Sequence, residues 1–297
     1  MLLSQSLPLS QSLTQPLSLT LLADYGLGDL AFQEVRQKLR SYLPLATIDS
    51  LSVPPFCTLT LGFMLAQLAL NDGLSGRLFF HNCAPRKDDL RSRTDNDGEG
   101  LTYLLLPNDV KVVGVNSGYC LSFLKHHALL LKTVNVPTHG SQFRSRDLFP
   151  AALAQLLQGD ESLLGADLSL DGIPEPPSNR LLLNDGYGNL KLSILSDTLD
   201  LKPGDETFIR IGNSVNRALC ADGSFSVPEG TLAFAPGSSG WRSPDGKTQT
   251  RWMELFLRGG SAWELFGRPA IGTPVDRLKP WEEVFSGRRD SFSWACP

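Results

Sequence analysis

The spacing of hydrophobic and polar positions divides the chain into two regimes. From residue 17, "LSLTLLADYGLGD" is an apolar run that breaks into Asp and Gly, the pattern of a buried parallel strand ending at a ligand-facing loop. "LAFQEVRQKLRSYLP" then has the period of an amphipathic helix, "ATIDSL" reads as a short strand, and "CTLTLGFMLAQLAL" as a buried helix closed by "NDG". Strands are predicted at "GRLFFHNC", "LTYLLL" and "VKVVGV", with the charged loop "APRKDDLRSRTDNDGEG" between the first two, and a helix at "CLSFLKHHALL". A further apolar helix pattern, "LFPAALAQLLQG", begins at Leu148. This alternation over residues 18–164 predicts an α/β N-terminal domain with a mostly parallel sheet covered by helices.

The period changes after "GADLSLDGIPEPPSNR", a Gly- and Pro-rich linker over residues 165–180. Short strand candidates separated by turn signals follow: "RLLLND", "LKLSIL", "ETFIRIG", "GTLAFAPG" and "RWMELFLRGG". They predict a smaller antiparallel, β-barrel-like C-terminal domain over residues 181–275. Residues 1–17 are rich in Ser, Gln and Pro and lack a basic n-region, which suits a flexible leader rather than a secretory signal. Residues 276–297 form an aromatic C-terminal extension.

With 297 residues, 41% apolar and 20% charged, the chain has the composition of a globular protein of two domains. The net charge of −4 is scattered, so no basic stripe for nucleic acid is present. No apolar run approaches the ~20 residues of a membrane helix, so no membrane partner is expected. Cys57, Cys83, Cys120, Cys220 and Cys296 are odd in number, widely spaced and without a CxxC pair, which points to free thiols in a reducing cytoplasm. His81, His126, His127 and His139 offer no HxxxH spacing, so no metal site is expected.

Some positions carry candidate chemistry. Asp24 and Asp29, on either side of the first loop, can hold a ribose diol by accepting its hydroxyl protons, or Asp29 can cap the helix that follows. The glycines of "GVNSGY", which contains Asn116, and of "DGYGN" let backbone approach a ligand, or mark ordinary turns. "FRSRD" (143–147) sets two guanidinium groups around Ser145 just before an apolar helix; it is either an anion site or a helix cap.

In order, "LLADYGLGD", "GRLFFHNCAPRKDDLR", "VVGVNSGY", "FRSRDLFPAALAQLLQGD", "LLNDGYGNLKLSI" and "MELFLRGGSAWELFG" resemble the S-adenosylmethionine (SAM) hydroxide adenosyltransferases. That superfamily includes the SAM-dependent fluorinase and chlorinase. The resemblance spans about residues 18–270 and implies a homotrimer with the site between subunits, in which SAM, a substrate rather than a cofactor, is attacked at ribose C5′. Hydroxide yields adenosine and methionine; halide yields a 5′-halo-5′-deoxyadenosine.

Carried over by position, Asp24 resembles the ribose-binding aspartate and Asp29 a second acid at the same strand end. Phe56 stands where the halogenases place an aromatic beside the ribose. Asp185, Tyr187 and Asn189 match the motif that stacks on and hydrogen-bonds the ligand. Ser238 fits the serine of an "NSxG" piece in which Gly237 replaces Asn. Gly259 and Gly260 match the backbone segment at adenine, and Asn116 and Phe143 complete the substrate set.

The catalytic set implied is Arg91, Arg144 and Ser145. Two positions depart from the hydroxide enzymes: Ala84 replaces an Asp, and Arg144 replaces a His. Ala84 accepts no proton and arginine stays protonated; Asp88 or Asp89 in the same loop is either a substitute acceptor or simply a solvated loop acid. Ser145 matches the serine that meets halide in the fluorinase. Three expectations follow: a SAM hydrolase, a SAM-dependent halogenase, or a non-catalytic SAM- or adenosine-binding relative.

Overall fold

β1 (Ser18–Ala23) runs parallel to both of its neighbours, β2 (Thr47–Ser52) and β3 (Leu78–Asn82). The structure, a computed structural model, describes residues 17–83, 97–137, 139–243 and 245–278. These residues form two compact units that divide between Glu175 and Pro176. In the first unit, α1 (Leu30–Tyr42) connects β1 to β2, and α2 (Thr58–Ala69) connects β2 to β3. β3 pairs parallel with β5 (Val110–Val115). β4 (Leu101–Leu106), β6 (Leu130–Val134) and β7 (Leu164–Asp167) then add antiparallel pairings, giving the order β2-β1-β3-β5-β4-β6-β7.

One core cluster gathers Leu19, Leu21 and Ala23 of β1 with Phe32, Val35 and Leu39 of α1. The strand contributes every second residue and the helix every third or fourth, as the two periods require. Phe149 and Leu153 of α4 (Phe149–Leu157) join the same cluster, and each such burial contributes about 2 kcal/mol. α2 is apolar all round. Its Gly62 lies so close to the next segment that an added Cβ would sit 2.1 Å from the Tyr119 carbonyl oxygen.

In the second unit the strands are β8 (Leu181–Asn184), β9 (Leu190–Leu195), β10 (Glu206–Ile211), β11 (Ser214–Cys220), β12 (Leu232–Arg242), β13 (Gln249–Leu257) and β14 (Val275–Leu278). Their order is β14-β10-β11-β12-β13-β9-β8. An Arg180–Pro274 bridge, with Leu181 N–H donating to the Thr273 carbonyl at 3.0 Å, brings the two edges together into a nearly closed barrel.

This architecture overturns the expectation of an α/β domain, with a mostly parallel sheet covered by helices, followed by a smaller antiparallel domain. The chain is two sheets of 7 strands each, with only 24% helix. The first sheet is mixed and the second contains a parallel β11–β12 pair. Two local causes account for much of the difference. Asn108 and Asp109 adopt φ of 60° and 56°, so "PND" makes a tight hairpin, and strands joined that way must be antiparallel. "CLSFLKHHALL", expected to be helical, is a series of turns ending in a 3-10 turn over Lys125–His127 and running into β6. Its apolar residues are buried on several sides, with Phe123 edge-on to Phe63 of α2 at 6.0 Å, so packing rather than helical period sets its backbone.

The end of that turn segment is tied down by Lys125, which is only 4% exposed. Its Nζ donates to the Ile173 carbonyl at 2.7 Å and pairs with Glu175 at 2.6 Å. The hydrogen bond from Lys125 holds the Glu175 carboxyl below its ordinary value. Among the described residues, no helix is long and apolar enough to cross a membrane. Lys125→Ala is expected to lower unfolding free energy by about 1–3 kcal/mol, as for the loss of a charged hydrogen bond to the buried Ile173 carbonyl, measured by chemical denaturation. Glu175→Gln is expected to lose stability at neutral pH only. The folded carboxyl titrates below the unfolded one, so the pair's contribution is full above the unfolded value, near pH ~4.3, and vanishes as pH falls through the lower folded value.

Candidate functional site

Asp24 follows directly on β1, and its amide donates to the Asn82 carbonyl at the end of β3, at 3.3 Å. One carboxylate oxygen accepts the Phe56 amide at 3.0 Å. That bond sits at a left-handed residue: Phe56 has φ of 62°, and its side chain is 43% exposed. A non-glycine residue is held there at a cost of about 1–2 kcal/mol. Asn116, half-buried, follows β5 and donates its amide to the Gly100 carbonyl at 3.3 Å. Asp29 stands apart: it occupies the N-cap position of α1 but makes no side-chain cap, and its carboxylate accepts the Gly26 amide at 3.3 Å instead.

In "FRSRD", the N-cap of the four-residue helix α3 (Arg144–Asp147) is Phe143, with no side-chain cap. Ser145 is therefore not a capping residue. It is buried, and its hydroxyl lies 2.5 Å from the Tyr25 hydroxyl. The Tyr25 ring is fixed edge-on between Phe32 at 5.1 Å and Phe143 at 5.8 Å. Arg144 turns to the Glu99 carbonyl, at 3.0 Å, across Gly98, whose added Cβ would lie 1.7 Å from the guanidinium. Arg146 pairs with Asp147 at 2.7 Å and with Glu34 at 3.2 Å. Hydrogen bonds, first from Arg146 and then from Ser141, hold the Asp147 carboxyl below its ordinary range.

The structure thus brings Asp24, Phe56, Asn116, Phe143, Arg144 and Ser145 to one unit, by way of Tyr25 and the Gly98–Gly100 segment. Arg91, with Ala84, Asp88 and Asp89, lies outside the described residues.

In the second unit, Asp185 uses both carboxylate oxygens to build its own turn. Oδ1 accepts the Tyr187 and Asn189 amides at 2.9 and 3.0 Å, and Oδ2 accepts the Asn189 side-chain amide at 3.0 Å. Tyr187 projects from this turn and is 84% exposed. Gly188, at φ of 80°, lets Ser261 approach, since an added Cβ would lie 2.0 Å from its hydroxyl. The Gly188 carbonyl accepts the Trp263 amide at 2.8 Å, which joins the turn to the Gly259–Gly260 segment. Those two glycines line a cleft of 390 Å³ together with Arg217, Glu229, Arg258 and Leu265. Ser238 is exposed on an irregularity of β12 between Pro236 and Gly240, where the pairing register with β13 shifts.

Three features of these regions escaped the sequence reading. The Tyr25 hydroxyl had a signal in its place beside Asp24, but its partner is 120 positions away. His81 is fully buried, its ring against Gly114, beside Cys83 and Cys120. The Cys83 thiol is pushed up, first by its hydrogen bond with Cys120 and then by burial. Glu254, in the barrel, is 1% exposed; it lies within "MELFLRGGSAWELFG" but is given no role there. Among the described residues, no group of three or more His, Cys, Asp and Glu side chains could hold a metal ion.

No protein-family model and no curated protein matches the chain. Solved structures do share its fold. An uncharacterized conserved protein from Thermotoga maritima aligns with TM-score 0.68 and 18% identity, covering 88% of this chain and 100% of that one. A conserved hypothetical protein from Thermus thermophilus aligns with TM-score 0.59 and 20% identity, over 88% and 100% respectively. At such identities the likeness concerns the fold alone.

The left-handed backbone at residue 56 makes a direct prediction. Phe56→Gly is expected to be neutral or slightly stabilising in thermal melts, whereas Phe56→Val costs about 1–2 kcal/mol, because a β-branched side chain tolerates that conformation least.

Proposed function

We propose that this chain binds S-adenosylmethionine and cleaves it at ribose C5′, with water or hydroxide as the nucleophile. Oxygen bonds to C5′, the C5′–sulfur bond breaks, its electron pair stays on sulfur, and the water proton is released. Adenosine and methionine leave. SAM is consumed as a substrate, and the reaction as written needs no cofactor.

The observation that carries the reading is the place of Asp24. It stands at the carboxyl end of β1, where the chain departs to β2 on one side and β3 on the other. Open sheets receive ligands in the crevice at such a switch point, and an acid there suits a ribose diol. The sulfonium is already a good leaving group, so the remaining task is alignment and exclusion of bulk water. An exposed Phe56 ring beside Asp24 suits that task.

Water is favoured over halide by the Tyr25–Ser145 contact: a hydroxyl held by another hydroxyl at 2.5 Å is a poorer partner for an incoming anion. A homotrimer that completes each site from neighbouring subunits is part of the proposal. Leu27 and Leu30, 88% and 76% exposed next to Asp24, support a contact there. A cytoplasmic location accords with the free thiols.

Purified protein incubated with SAM is expected to release adenosine and methionine in equal amounts, with no 5′-chloro-5′-deoxyadenosine when chloride is added. Asp24→Asn is expected to lower kcat/KM by about 100-fold, the loss of charged hydrogen bonds to ribose. Chloronucleoside formation would make the protein a halogenase. Tight SAM binding without turnover would make it a binding protein.

A further inference from the structure

Glu254 is a carboxylate in the wall of the barrel, 1% exposed, on a strand whose neighbours are β12 and β9. A charge in such a place has to be matched by partners or it destabilises the fold. Its Oε1 accepts the Lys191 ammonium at 2.7 Å, the Ser239 hydroxyl at 3.1 Å and the Ser239 amide at 3.3 Å. Gly237 is required above it, because an added Cβ would lie 2.0 Å from the same oxygen.

From the outer side, Arg251, which is exposed, donates to the Gly237 carbonyl at 2.8 Å and to the Pro236 carbonyl at 3.2 Å. The irregular stretch of β12 is therefore fastened from both faces. Between the fastenings, Ser238 is the one residue of residues 237–240 left exposed. Irregularities of this kind recur beside functional sites because they re-aim a side chain. Lys191, the third member, lies two positions after Asn189 of the Asp185–Asn189 turn, so the same carboxylate ties the Ser238 stretch to the strand that carries that turn.

We infer that Glu254 is a positioning residue: through Ser239, and with Arg251 and Lys191, it fixes Ser238 as a polar contact for the adenosyl ligand received by the barrel. The inference rests on the proposed SAM reaction for the identity of the ligand, but not for the geometry.

The test is a double-substitution cycle in the full chain with two readouts. By calorimetry with SAM and with adenosine, Ser238→Ala, Glu254→Ala and Arg251→Ala are each expected to weaken binding about tenfold or somewhat less, the scale of one hydrogen-bonding contact. Ser238→Ala/Glu254→Ala and Ser238→Ala/Arg251→Ala are expected to be no weaker than the worse single change, because both residues act through Ser238. Fully additive losses, or unchanged affinity in Glu254→Ala and Arg251→Ala, would overturn the inference. Amide hydrogen exchange supplies the second readout: residues 237–240 should lose protection in Glu254→Ala and Arg251→Ala while β10 and β11 keep theirs. Arg251→Ala, a surface change, carries the test if Glu254→Ala does not fold. If the unsubstituted protein binds neither nucleoside, the SAM reading fails; unchanged exchange at 237–240 then also sinks the positioning role, whereas selective loss of protection keeps it.

Discussion

Hydrogen bonding of β1 on both sides by parallel partners is the constraint on which the first unit depends. A strand so placed cannot be entered or left by a tight turn, so the chain has to cross over the sheet by α1 and again by α2. Both crossovers open at the same end. Asp24, Phe56 and Asn116 meet there because they follow β1, precede α2 and follow β5, not because they are near in sequence. The apolar stripe of α1 and the continuous apolarity of α2 are what hold that end open, since they fix the helices to the sheet and leave the loops to carry polar groups.

The polar groups are then organised by a second rule: a hydroxyl, amide or carboxylate withdrawn from water finds a partner within the protein. Ser145 finds Tyr25, Arg144 finds the Glu99 carbonyl, Asp185 finds three amides of its own turn, and Glu254 finds Lys191 and Ser239. Each pairing fixes a loop, a short helix or an irregular stretch of strand in place. Residues that a linear reading assigns to a ligand are in several cases already engaged with the protein. Ser145 and Asp185 are the plainest examples, and their effect on a ligand is exerted through the shape they impose.

Much of the strand content was legible in the sequence, because buried strands such as "SLTLLA" and "VKVVGV" announce themselves by apolar, β-branched composition. The fold class was not. Whether β4 and β5 run parallel or antiparallel turned on two left-handed residues, Asn108 and Asp109, and whether residues 120–130 were helical turned on contacts with α2. β11, "SVNRALC", has an Asn and an Arg within it and little alternation, so only its pairing with β10 and β12 makes it a strand. Of the candidate site, Asp24 and the Asp185–Asn189 turn could be read from local signals. The Tyr25–Ser145 contact and the Glu254 network could not, since their partners are separated by whole elements.

The near-closure of the barrel through Arg180 and Pro274 has a consequence for association. Where the two edges of the second unit meet, the backbone of Leu181 at the start of β8 and of Val275 at the start of β14 is engaged across the seam, so a foreign strand finds little to pair with at that end. The first unit ends in β2 and β7, each with one flank unpaired among the described residues. An assembly built by extending a sheet finds open flanks at β2 and β7 of the first unit, whereas at the Arg180–Pro274 seam the second unit offers few backbone groups to a partner strand.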